Sequence, residues 1–161
     1  MRILSCSLAA LLALTSCSST ETGPVMGRLR TPGIAPSTAQ VYTTPIPGGG
    51  VSISTDLGQG QRAIAISDFD TARLASSIES SISGWSRLRR SAPFSETVMG
   101  ATAGFNGANP LLVQLTKTPQ MVEPVFLLTV GYRDATASLV LDKENAATWA
   151  RRLREASKQG G

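Results

Sequence analysis

The stretch VSISTDLGQGQRAIAIS, residues 51–67, decides the fold. Val51, Ile53 and Thr55 alternate with Ser52 and Ser54, the period of two that puts one set of side chains on one face of a strand. A Gly-rich turn over residues 57–60 leads into a second extended run, residues 62–67, so the pair reads as a β-hairpin. Ser67 stands three residues before Asp70, a variant of the capping box, and Ala75, Ile78, Ile82 and Trp85 follow at helical spacing. The spacing predicts a helix over residues 68–83, closed by Gly84.

The same grammar returns 75 residues later. Residues 125–130 are an apolar strand, 131–135 a turn and 136–141 a second strand. Asp142 then offers a cap to a helix whose stripe is Ala146, Trp149, Ala150 and Leu153. Aligning 51–82 with 126–157 needs no gap, yet only Ala72 with Ala147 and Ala75 with Ala150 are identical. The alignment suits a duplication and equally suits two unrelated strand-strand-helix units. Between the units, residues 87–90 run toward a strand, the Gly- and Ala-rich residues 97–109 read as a flexible loop, and residues 111–116 form a short strand. Pro119 and Pro124 punctuate the next connection. The expected fold is α+β: an antiparallel sheet of about five or six strands with two helices on one face, in a single domain over residues 51–161.

Toward the N-terminus the composition changes. From residue 18 to 50, Ser, Thr, Gly and Pro make up 20 of 33 residues, which predicts a tether over residues 17–50. A flexible tether of that length has a reach of ~30 Å. Residues 39–46 alternatively form an edge strand, where Pro45 and Pro47 are tolerated.

Residues 1–16 have the form of an export signal: Met1-Arg2 is a short positive region, and residues 3–14 are apolar or small. A helix of that length covers about 18 Å, short of a ~30 Å hydrocarbon core. The sequence Leu14-Thr15-Ser16-Cys17 then resembles the lipobox of bacterial lipoprotein precursors. The resemblance covers the signal alone. It implies that the Cys17 thiol receives a diacylglyceryl group, that cleavage falls just before it, and that the new amine is acylated. Two or more chains give the stable anchoring that one does not. Ser18 in the following position is compatible, in that family, with transfer to the outer membrane.

The composition narrows the chemistry. The chain carries a formal charge of +4 and contains no His; of its two cysteines, Cys6 leaves with the signal and Cys17 is spent on lipid. Mechanisms built on Ser-His-Asp or Cys-His, zinc sites made of Cys or His, and disulfides are therefore not expected. No metal and no cofactor are expected. The mild basicity falls short of a nucleic-acid footprint, there are no regularly spaced aromatics to stack bases, and export argues against nucleic acid as a partner.

The remaining motifs have plain readings beside their functional ones. Gly58-Gln59-Gly60-Gln61-Arg62-Ala63 matches a dinucleotide pattern, but a strand rather than a helix follows it, so a turn is the better reading. Gly100, Gly104 and Gly107 permit close backbone approach to a ligand, or simply make a loop. Asp68 with Asp70, and Asp142 with Glu144, sit where helix starts favour anions. Trp85 and Trp149 fall on apolar stripes and read as core. Two basic clusters, Arg87, Arg89 and Arg90, and Arg151, Arg152 and Arg154, are the candidate contacts for an anionic surface or partner, against the alternative of a solvated face.

The expectation is a lipid-anchored envelope lipoprotein, facing the periplasm from the outer membrane. Its domain is expected to be a non-catalytic binding or scaffolding module for an envelope protein assembly. The alternative is a receptor for lipid, glycan or peptidoglycan fragments.

Overall fold

The computed structural model describes residues 23–31, 35–58, 60–102, 110–131 and 137–160. The signal, Cys17, Gly104, Gly107 and most of the expected 131–135 turn lie outside these residues.

The protein is α+β, with eight antiparallel strands curled into a half-barrel in the order β4-β3-β2-β1-β8-β7-β6-β5. The strands are β1 (Val25–Arg30), β2 (Ser37–Pro45), β3 (Val51–Asp56), β4 (Gln61–Ile66), β5 (Phe94–Thr102), β6 (Pro110–Lys117), β7 (Val125–Val130) and β8 (Ser138–Leu141). Helices α1 (Asp68–Ser83) and the short α2 (Trp85–Arg90) follow β4, and α3 (Lys143–Gly160) follows β8. Two four-stranded meanders, each ending in a helix, thus join side by side through the β1–β8 pair.

The eight strands replace the expected five or six, and most of the difference lies in the supposed tether. β1 and β2 are internal strands: β1 pairs with β2 and β8, and β2 with β1 and β3. Val25 and Val41 are buried, and Gly27 lets β1 pass close to the side chains of Leu139 and Leu141. Burial of those few apolar residues on the inner face outweighs the high Ser, Thr and Pro content, which the outer face tolerates because it meets solvent. Two further corrections fall in the middle of the chain. Residues 87–90 belong to helix α2, and residues 97–102 continue β5, with a register shift between Thr97 and Met99.

The two strand-strand-helix units do share one burial pattern. Shifting by 75 residues maps buried Val51, Ile53 and Thr55 onto Phe126, Leu128 and Val130, and Ile64 and Ile66 onto Leu139 and Leu141. It also maps Thr71, Leu74, Ala75 and Ile78 of α1 onto Ala146, Trp149, Ala150 and Leu153 of α3, all buried. The caps coincide too: Ser67 Oγ accepts from the Asp70 amide at 3.1 Å, and Asp142 Oδ1 from the Asn145 amide at 2.9 Å.

Helices α1 and α3 pack against each other within the curl, and α3 lies over β1, β2 and β3. They run antiparallel, since Ser157 Oγ donates to Asp68 Oδ1 at 2.9 Å while Arg154 reaches Ser76 and Glu79. Trp149 is fully buried and donates from Nε1 to Thr43 Oγ1 at 3.1 Å, tying α3 to β2. Trp85 stacks on Phe126 with ring centroids 6.1 Å apart. Both tryptophans are therefore core residues.

Candidate functional site

Because side chains alternate along a strand, the sheet has a second face, directed away from the helices. Arg28 pairs across with Val140 on one side and Thr38 on the other, and Val140 pairs with Leu127. These residues are exposed or half-buried, whereas their neighbours Leu139, Leu141 and Leu128 are fully buried under the helices. The outer face thus carries apolar side chains that the core does not use.

Residues 118–124, the connection between β6 and β7, turn this face into a groove of about 640 Å³. Met121, Val122, Pro124, Val125 and Val140 supply apolar lining, while Arg28, Arg30 and Lys143 bring positive charge. Val122 is 72% exposed. The two carboxylates of the groove are both engaged. Glu123 faces Arg89 Nε at 3.4 Å and accepts from Trp85 Nε1 at 3.5 Å, and Asp142 caps α3. Among the described residues, Arg28, Arg30 and Lys143 have no ion-pair partner. The groove therefore offers an apolar surface on which Arg28, Arg30 and Lys143 outnumber Asp142, its one carboxylate outside an ion pair, and this excess of positive charge suits an apolar group carrying an acid.

The six arginines singled out in the sequence do not form one site. Arg87, Arg89 and Arg90 lie together on α2, with Arg89 linked through Glu123 to the groove. Lys117 Nζ fixes the end of α2 by donating to the carbonyls of Arg89 and Ser91, the latter at 2.8 Å. On α3 the three arginines diverge. Arg154 faces α1, donating from Nε to Glu79 Oε1 at 2.7 Å and from Nη2 to Ser76 Oγ at 3.0 Å. Those hydrogen bonds lower the Glu79 carboxyl pKa below the ordinary carboxylate range and raise that of Arg154. Arg151 points to solvent. Arg152 is half-buried on the other flank, where its Nη2 lies beside Gly23 and its enclosed Nη1 has no hydrogen-bond partner among the described residues.

Arg28 and Arg30 were not singled out from the sequence. The signal was present in VMGRLR, where both alternate with Val25, Gly27 and Leu29.

The remaining motifs resolve simply. Gly58 and Gly60 belong to the turn between β3 and β4, and a strand follows. Asp68 Oδ1 accepts from the Gly50 amide at 2.8 Å and from Ser157, so its carboxylate holds the β2–β3 connection and the end of α3 to α1. Gly100 is part of β5. Among the described residues, no three His, Cys, Asp or Glu side chains gather where they would hold a metal. No described helix is long and apolar enough to cross a membrane.

No protein-family model, curated protein or solved structure matches this chain.

Proposed function

We propose that the protein is an envelope lipoprotein, anchored through Cys17 in the outer membrane and facing the periplasm. Its domain acts as a non-catalytic binding or scaffolding module for an envelope protein assembly. The observation that carries this reading is the groove: accessible apolar lining beside Arg28, Arg30 and Lys143, with Glu123 already paired to Arg89 and Asp142 engaged in capping α3. A protein segment presenting apolar side chains flanked by Asp or Glu complements it, and nucleic acid does not. The α2 arginines extend the positive charge on the far side of Glu123.

The groove volume also falls within the ~300–1,000 Å³ usual for small-molecule sites, which supports a second reading as a receptor for an anionic lipid or glycan fragment. Mild crosslinking in cells followed by purification separates the two. The scaffold reading expects a stoichiometric envelope protein that is lost in the Arg28→Glu, Arg30→Glu double variant while the fold is retained. The receptor reading expects no protein partner and a co-purified small molecule lost in the same variant. A solitary, ligand-free protein, or a partner indifferent to the double variant, contradicts the assignment of the groove.

A further inference from the structure

We infer that the groove takes the exposed Phe69 corner of a second copy of this chain, so that neighbouring copies join head to tail. The inference rests on the groove reading above and names its occupant.

Of the large apolar side chains among the described residues, Phe69 and Val122 are the most exposed, each at 72%. Val122 lines the groove, and Phe69 stands on the first turn of α1 between Asp68 and Asp70. Phe69 is thus a large apolar group flanked by acids, the chemistry that suits the groove. Asp68 Oδ1 accepts from the Gly50 amide and from Ser157, and Asp70 Oδ2 accepts from the Ser67 hydroxyl at 3.0 Å. Neither carboxylate has an ion-pair partner among the described residues. Lys158 follows Ser157 at this end and offsets one of the two, while Arg73 and Glu96 offset each other in the cleft between α1 and β5. The Phe69 end therefore keeps an excess of acid, opposite in sign to the groove.

The two surfaces lie at opposite ends of α3. Lys143 lines the groove, whereas Ser157, 14 residues on, donates to Asp68 beside Phe69. At ~1.5 Å rise per residue these ends stand about 21 Å apart, so a chain's own Phe69 does not reach its own groove. A contact between unlike surfaces at opposite ends is heterologous: each added copy leaves one groove and one Phe69 free, and the row grows until it closes or is capped.

The anchor leaves at neither end. Gly23 lies beside Arg152, midway along α3, with Arg152 Nη2 3.9 Å from the position its Cβ would take. Cys17 stands six positions earlier, a reach of ~20 Å when extended. Lipidated copies therefore share one bilayer surface with both docking ends free. A single aromatic anchor buries about 150–250 Å², short of the ~800 Å² per partner of a standard complex, so the contact depends on the effective concentration that this confinement supplies.

The mature lipidated protein has no other thiol, so introduced cysteines react alone. Ala72→Cys marks the Phe69 end and Gln120→Cys the rim of the groove; both positions are exposed. Membranes carrying the full-length protein are treated with a short bismaleimide. The protein with both cysteines should give a ladder of oligomers, a mixture of the two single-cysteine proteins should give dimers, and each single-cysteine protein alone should give none. Phe69→Ala, or Arg28→Glu with Arg30→Glu, should lower the yield about tenfold or more. Mixing the defects tests direction and shows that both variants fold. Arg28→Glu, Arg30→Glu protein bearing Ala72→Cys should still crosslink to Phe69→Ala protein bearing Gln120→Cys, because an intact Phe69 meets an intact groove; exchanging the two cysteines should abolish the product. Crosslinks between like cysteines, or crosslinks indifferent to these substitutions, overturn the head-to-tail contact. Gln120→Cys protein that crosslinks only to a different envelope protein, and only with Arg28 and Arg30 intact, overturns the second copy as occupant and leaves the groove reading standing. Gln120→Cys protein that crosslinks to nothing overturns this inference and the scaffold reading together.

Discussion

Replacing Gly27 with Ala is the most discriminating test of the fold, because two descriptions of β1 predict different signs. A methyl group at this position would stand 2.7 Å from Leu139 Cδ1 and Cγ and 2.9 Å from Leu141 Cδ2. Both leucines are fully buried, and β1 is held on both sides by β2 and β8, so neither the side chains nor the strand can move freely. Overpacking of this kind costs about 1–3 kcal/mol. Gly27 does not have a positive φ, so Ala is free of backbone strain and returns about 0.4–1 kcal/mol by restricting the unfolded chain. The net expectation is a loss of about 1–2 kcal/mol, or a fall in Tm of roughly 3–8 °C. Urea unfolding followed by the fluorescence of buried Trp85 and Trp149 measures it, with an unchanged m-value. In a solvated tether the substitution would be neutral. A midpoint equal to or above that of the wild type would refute the placement of β1 inside the sheet.

Two further substitutions test the packing. Thr55 is fully buried with its hydroxyl unpaired among the described residues, and the matching position of the second unit is Val130. Thr55→Val should therefore stabilise the protein by about 1 kcal/mol in the same denaturation assay, and a loss of stability would show that the hydroxyl has a partner. Glu79→Gln tests the α1–α3 pair. The folded-state pKa of Glu79 is lowered, chiefly by its hydrogen bonds with Arg154, so its contribution is present above the unfolded carboxylate pKa and disappears as pH falls through the folded value. The variant should be slightly less stable at neutral pH and equal to wild type in strong acid; a difference independent of pH would contradict the assignment.

The hairpin of β3 and β4, helix α1, strand β7 and helix α3 were legible in the sequence because their apolar residues repeat at the period of the element they form and a cap stands at each helix start. Asp142 and Ser67 illustrate this: each satisfies a free amide of the turn that follows. β1 and β2 were not legible as sheet interior, because one of their faces meets solvent and carries Arg28, Thr38 and Tyr42, so the segment reads as polar. The alternation of Val25, Gly27 and Leu29 was visible, but no local signal says that a glycine is there to let buried leucines approach. The groove was hidden for a related reason. Arg28, Val140 and residues 118–124 are far apart in the chain, and only the β1–β8 pairing joins them. The arginine clusters were conspicuous by spacing, yet the antiparallel α1–α3 contact commits Arg154 to Glu79 and separates it from Arg151 and Arg152. Spacing along one helix cannot foresee which flank another helix will cover.

The central claim, that this domain works from a lipid anchor at its own sheet, is tested most directly by the mass of the N-terminal peptide of the mature protein purified from membranes. The account predicts a peptide that begins at Cys17 and carries a diacylglyceryl thioether and an amide-linked acyl chain. A peptide that begins elsewhere, or one in which Cys17 is a free thiol, would contradict it.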